Sequence, residues 1–216
     1  MEQNQKILYR GGEGVLEEKK SRFIAALAPV NSEEEAVSFI ESQRKKYRDA
    51  SHHCSAFLIG ERNELMRCSD DGEPAQTAGR PMLDVLLGEE IHNACAVVTR
   101  YFGGTLLGTG GLVRAYSGAV QEGLKNCTLL ERRPAGRFSL TTDYPDLGKL
   151  QYLLGEMGIA ILNSDYTDRV VLTVLVPSET EEVFKKKLTE GTGGRCVIEA
   201  LDQVFFGLNG EKIVFL

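Results

Sequence analysis

Two groups of side chains in this sequence have the chemistry of an active site. They are His52, His53 and Cys54 in the first group, and Asp70, Asp71 and Glu73 in the second. A predicted hairpin of His53–Ile59 and Leu65–Ser69 brings the two groups to one end of a sheet. Carboxylates beside a histidine can bind a metal ion or transfer protons, and a cysteine beside a histidine base can act as a nucleophile.

The spacing within these groups argues against a metal centre. Adjacent His52 and His53 point to opposite faces of a strand, and the sequence has no H-E-x-x-H pattern. Cys54 lies in an apolar strand, where a cysteine is typically a small buried hydrophobe. The sequence therefore predicts no metal ion and no cofactor, and it leaves open a small hydrolase or transferase whose cleft contains His53, Asp71 and Glu73.

A glycine-rich segment follows a predicted strand at Ala94–Phe102. Its glycines are Gly103, Gly104, Gly108, Gly110 and Gly111. They predict a compact loop, with Gly103 or Gly104 at positive φ, and then a helix that Thr109 or Gly110 caps. The segment lacks the lysine of a P-loop and the third glycine of a dinucleotide fingerprint, so binding of ATP or NAD is not favoured. The glycines are equally compatible with a purely structural turn from strand to helix.

The glycine segment is also suited to binding an anion. From Ile91 to Gln121 the chain has Arg100 and Arg114 but no Asp or Glu, and the N–H groups that begin a helix attract negative charge. Elsewhere the chain is acidic, with a net charge of −6, which excludes a broad basic face for nucleic acid. We expect any binding of RNA to be local, at Arg100, Arg114 and the glycine loop.

The order of predicted elements indicates an α+β fold in two domains. Before a junction at Glu131–Gly136, the strands at Gly14–Lys20 and Arg22–Pro29 precede a helix from Glu33 to Lys46 that Asn31 or Ser32 caps. The hairpin, a helix after Gly79, a strand and the long helix complete this part. After the junction the predicted order is β-α-β-β-α-β. The domains are predicted at residues 1–133 and 136–206, with a tail at 207–216.

Composition places the chain among ordinary globular proteins. It is 42% hydrophobic and 26% charged, and no apolar run reaches the ~18 residues of a membrane span. The N-terminus has no apolar signal core, so we expect a cytoplasmic protein without a membrane partner. The five cysteines are scattered without a C-x-x-C pair, as in proteins with reduced thiols.

Four segments match, in order, the motifs of the IMPACT family. They are Ser21–Ile24, Ala50–Phe57, Asp70–Pro81 and Arg100–Tyr116. From about Glu17 to Lys125 the chain therefore resembles this family, and in particular its bacterial, YigZ-like members. It departs from the family pattern at Gln76, where glycine is usual, and at Leu106, where lysine is frequent.

The resemblance implies both a fold and a role. It implies an N-terminal domain like domain 2 of ribosomal protein S5, and a ferredoxin-like C-terminal domain akin to modules of elongation factor G. Eukaryotic IMPACT restrains the kinase pathway that senses uncharged tRNA by binding the activator of that pathway. We therefore expect a non-enzymatic binding protein in translation or its regulation, whose partner is the ribosome, RNA or a translation-associated protein. The expected recognition edge consists of the loops Asp70–Pro81 and Tyr101–Gly111.

Overall fold

The computed structural model describes residues 5–216, which divide between Glu131 and Arg132 into two compact units. We call Met1–Glu131 the N-terminal unit and Arg132–Leu216 the C-terminal unit. The division falls inside the junction predicted from the sequence. Residues 1–4 lie outside the described residues. They belong to the predicted domain 1–133 and to the N-terminal segment whose lack of an apolar core is the reason to expect no export.

Over its described residues, 5–131, the N-terminal unit contains a five-stranded sheet, a small three-stranded sheet and three helices. Its strands are β1 (Lys6–Arg10), β2 (Gly12–Glu18), β3 (Ser21–Pro29), β4 (His52–Ile59), β5 (Leu65–Ser69), β6 (Ile91–His92), β7 (Ala94–Tyr101) and β8 (Thr128–Glu131). Its helices are α1 (Glu33–Lys46), α2 (Gly79–Gly88) and α3 (Thr109–Leu124).

The large sheet of this unit has the order β2-β3-β7-β4-β5, with every neighbouring pair antiparallel. Side chains alternate between its two faces. Phe23 and Ala25 of β3 pack in one core with α2 and α3, whereas Val97 of β7 packs in a second core that includes Ala36 of α1. Strand β7 therefore lies at the centre of the sheet and has helices on both of its faces.

Local sequence signals explain the boundaries of α1. Its N-cap is Ser32, whose hydroxyl accepts a hydrogen bond from the Glu35 N–H at 3.2 Å. Three glutamates occupy its first turn and three basic residues its last turn, an arrangement that complements the helix dipole. The predicted helix from Glu33 to Lys46 is confirmed.

The three-stranded sheet, of order β6-β1-β8, was not predicted from the sequence. Its middle strand pairs in parallel with β6, where Lys6 faces Ile91, and antiparallel with β8, where Ile7 faces Leu130. These partners are more than eighty residues apart in the chain, and β6 has only two residues. Such a sheet is specified by pairing between distant segments, so the local pattern of hydrophobic residues does not predict it.

The C-terminal unit is one antiparallel sheet packed with two helices. Its elements are β9 (Arg133–Thr142), α4 (Tyr144–Glu156), β10 (Ala160–Tyr166), β11 (Val170–Pro177), a 3₁₀ turn (Ser178–Thr180), α5 (Glu181–Thr192), β12 (Val197–Asn209) and β13 (Lys212–Phe215). The sheet order is β10-β11-β9-β12-β13. Up to β12 the order of elements is β-α-β-β-α-β, as in the split βαβ motif. The predicted α+β class is confirmed for the chain.

Two boundaries in this unit differ from the predicted ones. Strand β9 begins at Arg133, because Pro134 pairs with Phe205 and Gly136 with Gln203, so that the junction residues extend the sheet. The predicted tail at 207–216 instead completes β12 and returns as β13, in which Val214 faces Gly207.

Candidate functional site

The acidic loop between β5 and α2 is held in place by the carboxylate of Asp70. Its Oδ1 accepts hydrogen bonds from the backbone N–H groups of Ala78 at 3.0 Å and Gly79 at 2.8 Å, and its Oδ2 accepts one from Gln76 at 2.8 Å. The side chain thus satisfies N–H groups where α2 begins. Gln76 has a φ of 64°, the left-handed conformation for which glycine is preferred, so the backbone after Pro74 adopts this conformation without the glycine that is usual in the family.

Asp71 joins the acidic loop to α1 and to β4. Its Oδ1 accepts a hydrogen bond from Arg44 at 2.9 Å, and its Oδ2 accepts one from the backbone N–H of His53 at 2.7 Å. The His53 ring is buried and its Nε2 donates to the carbonyl of Tyr47 at 3.0 Å. Nδ1 of this ring lies 4.0 Å from Asp71 Oδ2. Both predicted site residues are therefore close together, but each holds neighbouring segments in place.

Glu73 forms the buried centre of the cluster. Its side chain is 4% exposed, and its Oε1 accepts hydrogen bonds from Arg100 at 2.5 Å and from the Tyr116 hydroxyl at 2.8 Å. His52 Nε2 lies 4.0 Å from the same oxygen, while Nδ1 of His52 donates to the Asp71 carbonyl at 2.9 Å. This carboxylate therefore ties the acidic loop to β7 and α3.

Arg100 is the second charged group of that centre. It is 5% exposed, and its Nη2 donates to the Ser21 hydroxyl at 3.4 Å. Its guanidinium lies 5.3 Å from the centroid of the Phe23 ring and 5.5 Å from that of Phe102, within cation–π range. The structure thus places Arg100 in the interior, away from any surface that RNA would contact.

Burial also changes the acid–base chemistry of two further groups in the cluster, Cys54 and Tyr116. Burial raises the pKa of the Cys54 thiol to about 12, and its Sγ donates to the Asp70 carbonyl at 3.1 Å. Burial likewise raises the pKa of the Tyr116 hydroxyl. A nucleophilic cysteine needs a lowered pKa, so Cys54 is poorly suited to that role at neutral pH.

The glycine loop is compact and lies against the β2–β3 turn. The Gly103 N–H donates to Ser21 Oγ at 3.2 Å, and a Cβ on Gly103 would come within 2.0 Å of the Lys20 carbonyl carbon. Gly104 has a φ of 82°, as predicted. The N-cap of α3 is Gly108, with a φ of 72° and no side-chain cap, one or two residues earlier than predicted.

The loop exposes apolar side chains, and the first turns of the following helix expose a basic one. Phe102 is 50% and Leu106 is 83% exposed. Arg114 is exposed on α3 and, among residues 5–216, forms no ion pair. The structure therefore separates the two predicted arginines, with Arg100 inside the cluster and Arg114 on the surface.

The structure brings His53, Asp71, Glu73 and Arg100 into one cluster and adds residues that sequence reasoning did not include. The missed ones are Tyr116, Ser21 and Arg44. His52, which the sequence places beside His53 but outside the predicted cleft, also joins the cluster. Strand pairing was the available signal for His52, since it faces Arg100 across β4 and β7. Within the described chain, no group of three or more His, Cys, Asp or Glu side chains has a geometry that would hold a metal ion. No helix of residues 5–216 is long and apolar enough to cross a lipid bilayer.

Comparison with known proteins gives matches over both units. Residues 19–124 match the Impact N-terminal domain, and residues 140–195 match a domain of unknown function, DUF1949. The IMPACT family member YigZ of Escherichia coli is 42% identical over 192 residues, which cover 88% of this chain and 94% of that protein. The member YvyE of Bacillus subtilis is 40% identical over 188 residues, covering 87% of each chain.

Two further matches have different extents. The crystal structure of a hypothetical protein, 41% identical, covers 94% of this chain and 98% of its own with a TM-score of 0.58. Protein IMPACT of Xenopus laevis is 36% identical over 98 residues, which cover 43% of this chain and 31% of that protein. The bacterial likeness thus includes both units, whereas the eukaryotic likeness covers less than half of the chain.

Proposed function

We propose that this chain, which belongs to the IMPACT family, is a cytoplasmic binding protein that acts in translation or its regulation. One observation carries the preference for binding over catalysis. The polar groups that an enzyme would need are engaged in holding the acidic loop: Asp71 by Arg44 and the His53 N–H, and Glu73 by Arg100 and Tyr116. Such a network rigidifies a loop.

The recognition edge in this proposal consists of the loops Asp70–Pro81 and Tyr101–Gly111. The buried cluster fixes the first loop, and the contact of Gly103 with the β2–β3 turn fixes the second. Phe102 and Leu106 project from this fixed backbone with 50% and 83% of their surface exposed. Exposed apolar side chains on a preorganised loop support binding, because little conformational entropy is lost when a partner docks.

The partner in this proposal is the ribosome, RNA or a translation-associated protein. Family membership supports the connection with translation, since eukaryotic IMPACT restrains the kinase pathway that senses uncharged tRNA. The acidic net charge of −6 favours a small contact over a broad phosphate-binding face. Arg100 acts within the fold, so that Arg114 is the arginine available to RNA.

Co-sedimentation of the intact tagged protein with ribosomes tests this proposal. We expect the double change Phe102→Ser and Leu106→Ser to reduce retention in the ribosomal fraction, and Tyr152→Ser, at a residue 64% exposed on α4, to leave it unchanged. If RNA is the partner, the salt slope should be shallow, on the order of one to three released ions, and Arg114→Gln should weaken binding. If neither the double change at Phe102 and Leu106 nor Arg114→Gln reduces retention in the ribosomal fraction, these loops are not the recognition edge.

The second candidate is a small hydrolase or transferase at His53, Asp71 and Glu73. One observation favours this candidate. The His52 side chain is 26% exposed, and its Nε2 lies 4.0 Å from Glu73 Oε1. Turnover of ester or phosphoester substrates by the purified chain, lost in folded His52→Gln and His53→Gln variants and retained in His92→Gln, would favour this candidate over binding alone.

A further inference from the structure

A cleft of about 250 Å³ lies beside the glycine loop, between the end of β2 and the first turns of α3. Its lining residues are Leu16, Glu18, Lys19, Leu107, Gly111, Arg114 and Ala115. Leu16 and Leu107 pack against the hydrophobic core beneath, and Ala115 is part of that core. The floor of the cleft is therefore aliphatic and supported from below.

The walls of the cleft are cationic. Lys19 and Arg114 contribute to its lining from opposite elements, and both side chains belong to exposed residues. Among residues 5–216 neither of them forms an ion pair, and the adjacent Lys20 forms none either. Glu18 is the one carboxylate in the lining, so the local charge stays positive in a chain whose net charge is −6.

The start of α3, which contributes Gly111 and Arg114 to the cleft, also favours negative charge. Helix α3 has sixteen residues, and no side chain caps it at Gly108. Its first turn carries no Asp or Glu. N–H groups at a helix start stabilise a nearby carboxylate. This effect adds to that of the two cations, and the cleft supplies an apolar contact that a helix end alone does not offer.

The size and floor of the cleft favour a peptide over a nucleic acid. Its volume of about 250 Å³ lies below the ~300–1,000 Å³ typical of small-molecule sites. Single-stranded RNA binds through aromatic planes on which bases stack, whereas this floor is made of Leu16, Leu107 and Ala115. An aliphatic side chain flanked by carboxylates matches both the floor and the walls.

We propose that this cleft binds an acidic peptide segment of a protein partner, with a leucine-type side chain on the Leu16–Leu107 floor and carboxylates at Lys19 and Arg114. This inference rests on the proposed function and specifies its partner as a protein. Charge complementarity identifies the occupant, because unpaired cations on an acidic protein attract an anionic segment and the apolar floor selects its anchor residue.

Fluorescence anisotropy with synthetic probes tests the proposal on the full chain. The probe is a labelled twelve-residue peptide of Asp and Glu with two central leucines. The comparison probes are the same peptide with serines in place of the leucines and a twelve-nucleotide oligouridine. We expect the leucine peptide to bind more tightly than either. Lys19→Glu and Arg114→Glu should each weaken its binding about tenfold, since each reversal replaces an attraction with a repulsion.

The matched control is Lys186→Glu with Lys187→Glu, two exposed lysines on α5 that form no ion pair within the described chain. This control should keep the peptide affinity within about twofold, because neither lysine lines the cleft and exposed charges outside a contact are screened by salt. Melting curves of all variants establish that they fold.

Three results would overturn the proposal: tighter binding of oligouridine than of the leucine peptide, equal binding of the serine peptide, or no effect of Lys19→Glu and Arg114→Glu. If the peptide fails while ribosome retention still depends on Phe102 and Leu106, the cleft assignment falls and the proposed function stands. If peptide binding does not depend on Lys19 and Arg114, and ribosome retention does not depend on Phe102 and Leu106, both proposals are wrong.

Discussion

The ion pair between Arg100 and Glu73 should make a large contribution to the stability of the N-terminal unit. The two side chains are 6% and 4% exposed, and the Arg100 Nη1 to Glu73 Oε1 distance is 2.5 Å. Removing one partner of a buried pair leaves the other charge desolvated and uncompensated, which costs about 3–5 kcal/mol. We therefore predict that Glu73→Gln and Arg100→Met each lower the free energy of unfolding by about 3–5 kcal/mol.

The double variant separates the pair from its surroundings. Replacing both charges leaves no orphaned ion, so Arg100→Met with Glu73→Gln should cost clearly less than the sum of the single changes. The glutamine keeps an oxygen that can accept the Tyr116 hydroxyl bond, which is 2.8 Å long in the native protein. Asp84→Asn is the control, because the Arg80–Asp84 pair is exposed and such pairs contribute about 0–1 kcal/mol.

Urea denaturation followed by circular dichroism measures these differences, with melting temperature as a second readout. A loss of 3–5 kcal/mol corresponds to a fall of about 10 °C in a chain of this size. A cost below about 1 kcal/mol for Glu73→Gln, or single effects that add within about 0.5 kcal/mol in the double variant, would refute the view that this pair anchors the acidic loop.

Three further predictions concern other contacts of the N-terminal unit. Gln76→Gly should raise the free energy of unfolding by about 0.5–1 kcal/mol in urea titrations, because it relieves a positive φ of 64° at a residue with an exposed side chain. Asp70→Asn should lower it by about 2–3 kcal/mol, since the amide cannot accept all three backbone N–H bonds. Burial raises the pKa of the Cys54 and Cys95 thiols from 9.0 to about 12. As the pH rises, these thiols ionise in the unfolded chain before they ionise in the folded one, which favours the unfolded state. The free energy of unfolding should therefore fall from pH 9 to 12, and it should fall less steeply in Cys95→Ala than in the native protein.

The elements that were predicted correctly are those that local sequence specifies. Helix α1 carries its own cap, first-turn acids and last-turn bases, and α4 begins with proline in its first turn, a position that suits proline. Sheet β6-β1-β8 has no such signal, because its strands gain their hydrogen bonds only from segments distant in the chain. The C-terminal hairpin was missed for a related reason, since β13 has only four residues and pairs with the end of β12.

The sequence predicts most of the residues of the candidate site, but it does not predict how they are arranged. Sequence order and the predicted hairpin place the histidines near the acidic loop, but strand register decides which ring approaches Glu73. In the observed register of β4 against β7, His52 faces Arg100 across the sheet, whereas the His53 ring turns to the Tyr47 carbonyl. The burial of Arg100 follows from the central position of β7, with neighbours β3 and β4, and the strand order is a tertiary property.

The two departures from the family pattern have different physical consequences. At Gln76 the backbone keeps the left-handed conformation that glycine would adopt, and Asp70 holds the backbone N–H, so this departure changes strain and leaves the loop in place. At Leu106 the side chain is 83% exposed, so the departure changes what a partner meets. A leucine in place of a lysine gives the loop edge apolar area and leaves Lys19, Lys20 and Arg114 as its nearby cations. Restoring the charge with Leu106→Lys should therefore weaken apolar docking while leaving stability nearly unchanged, which ribosome co-sedimentation and a melting curve measure.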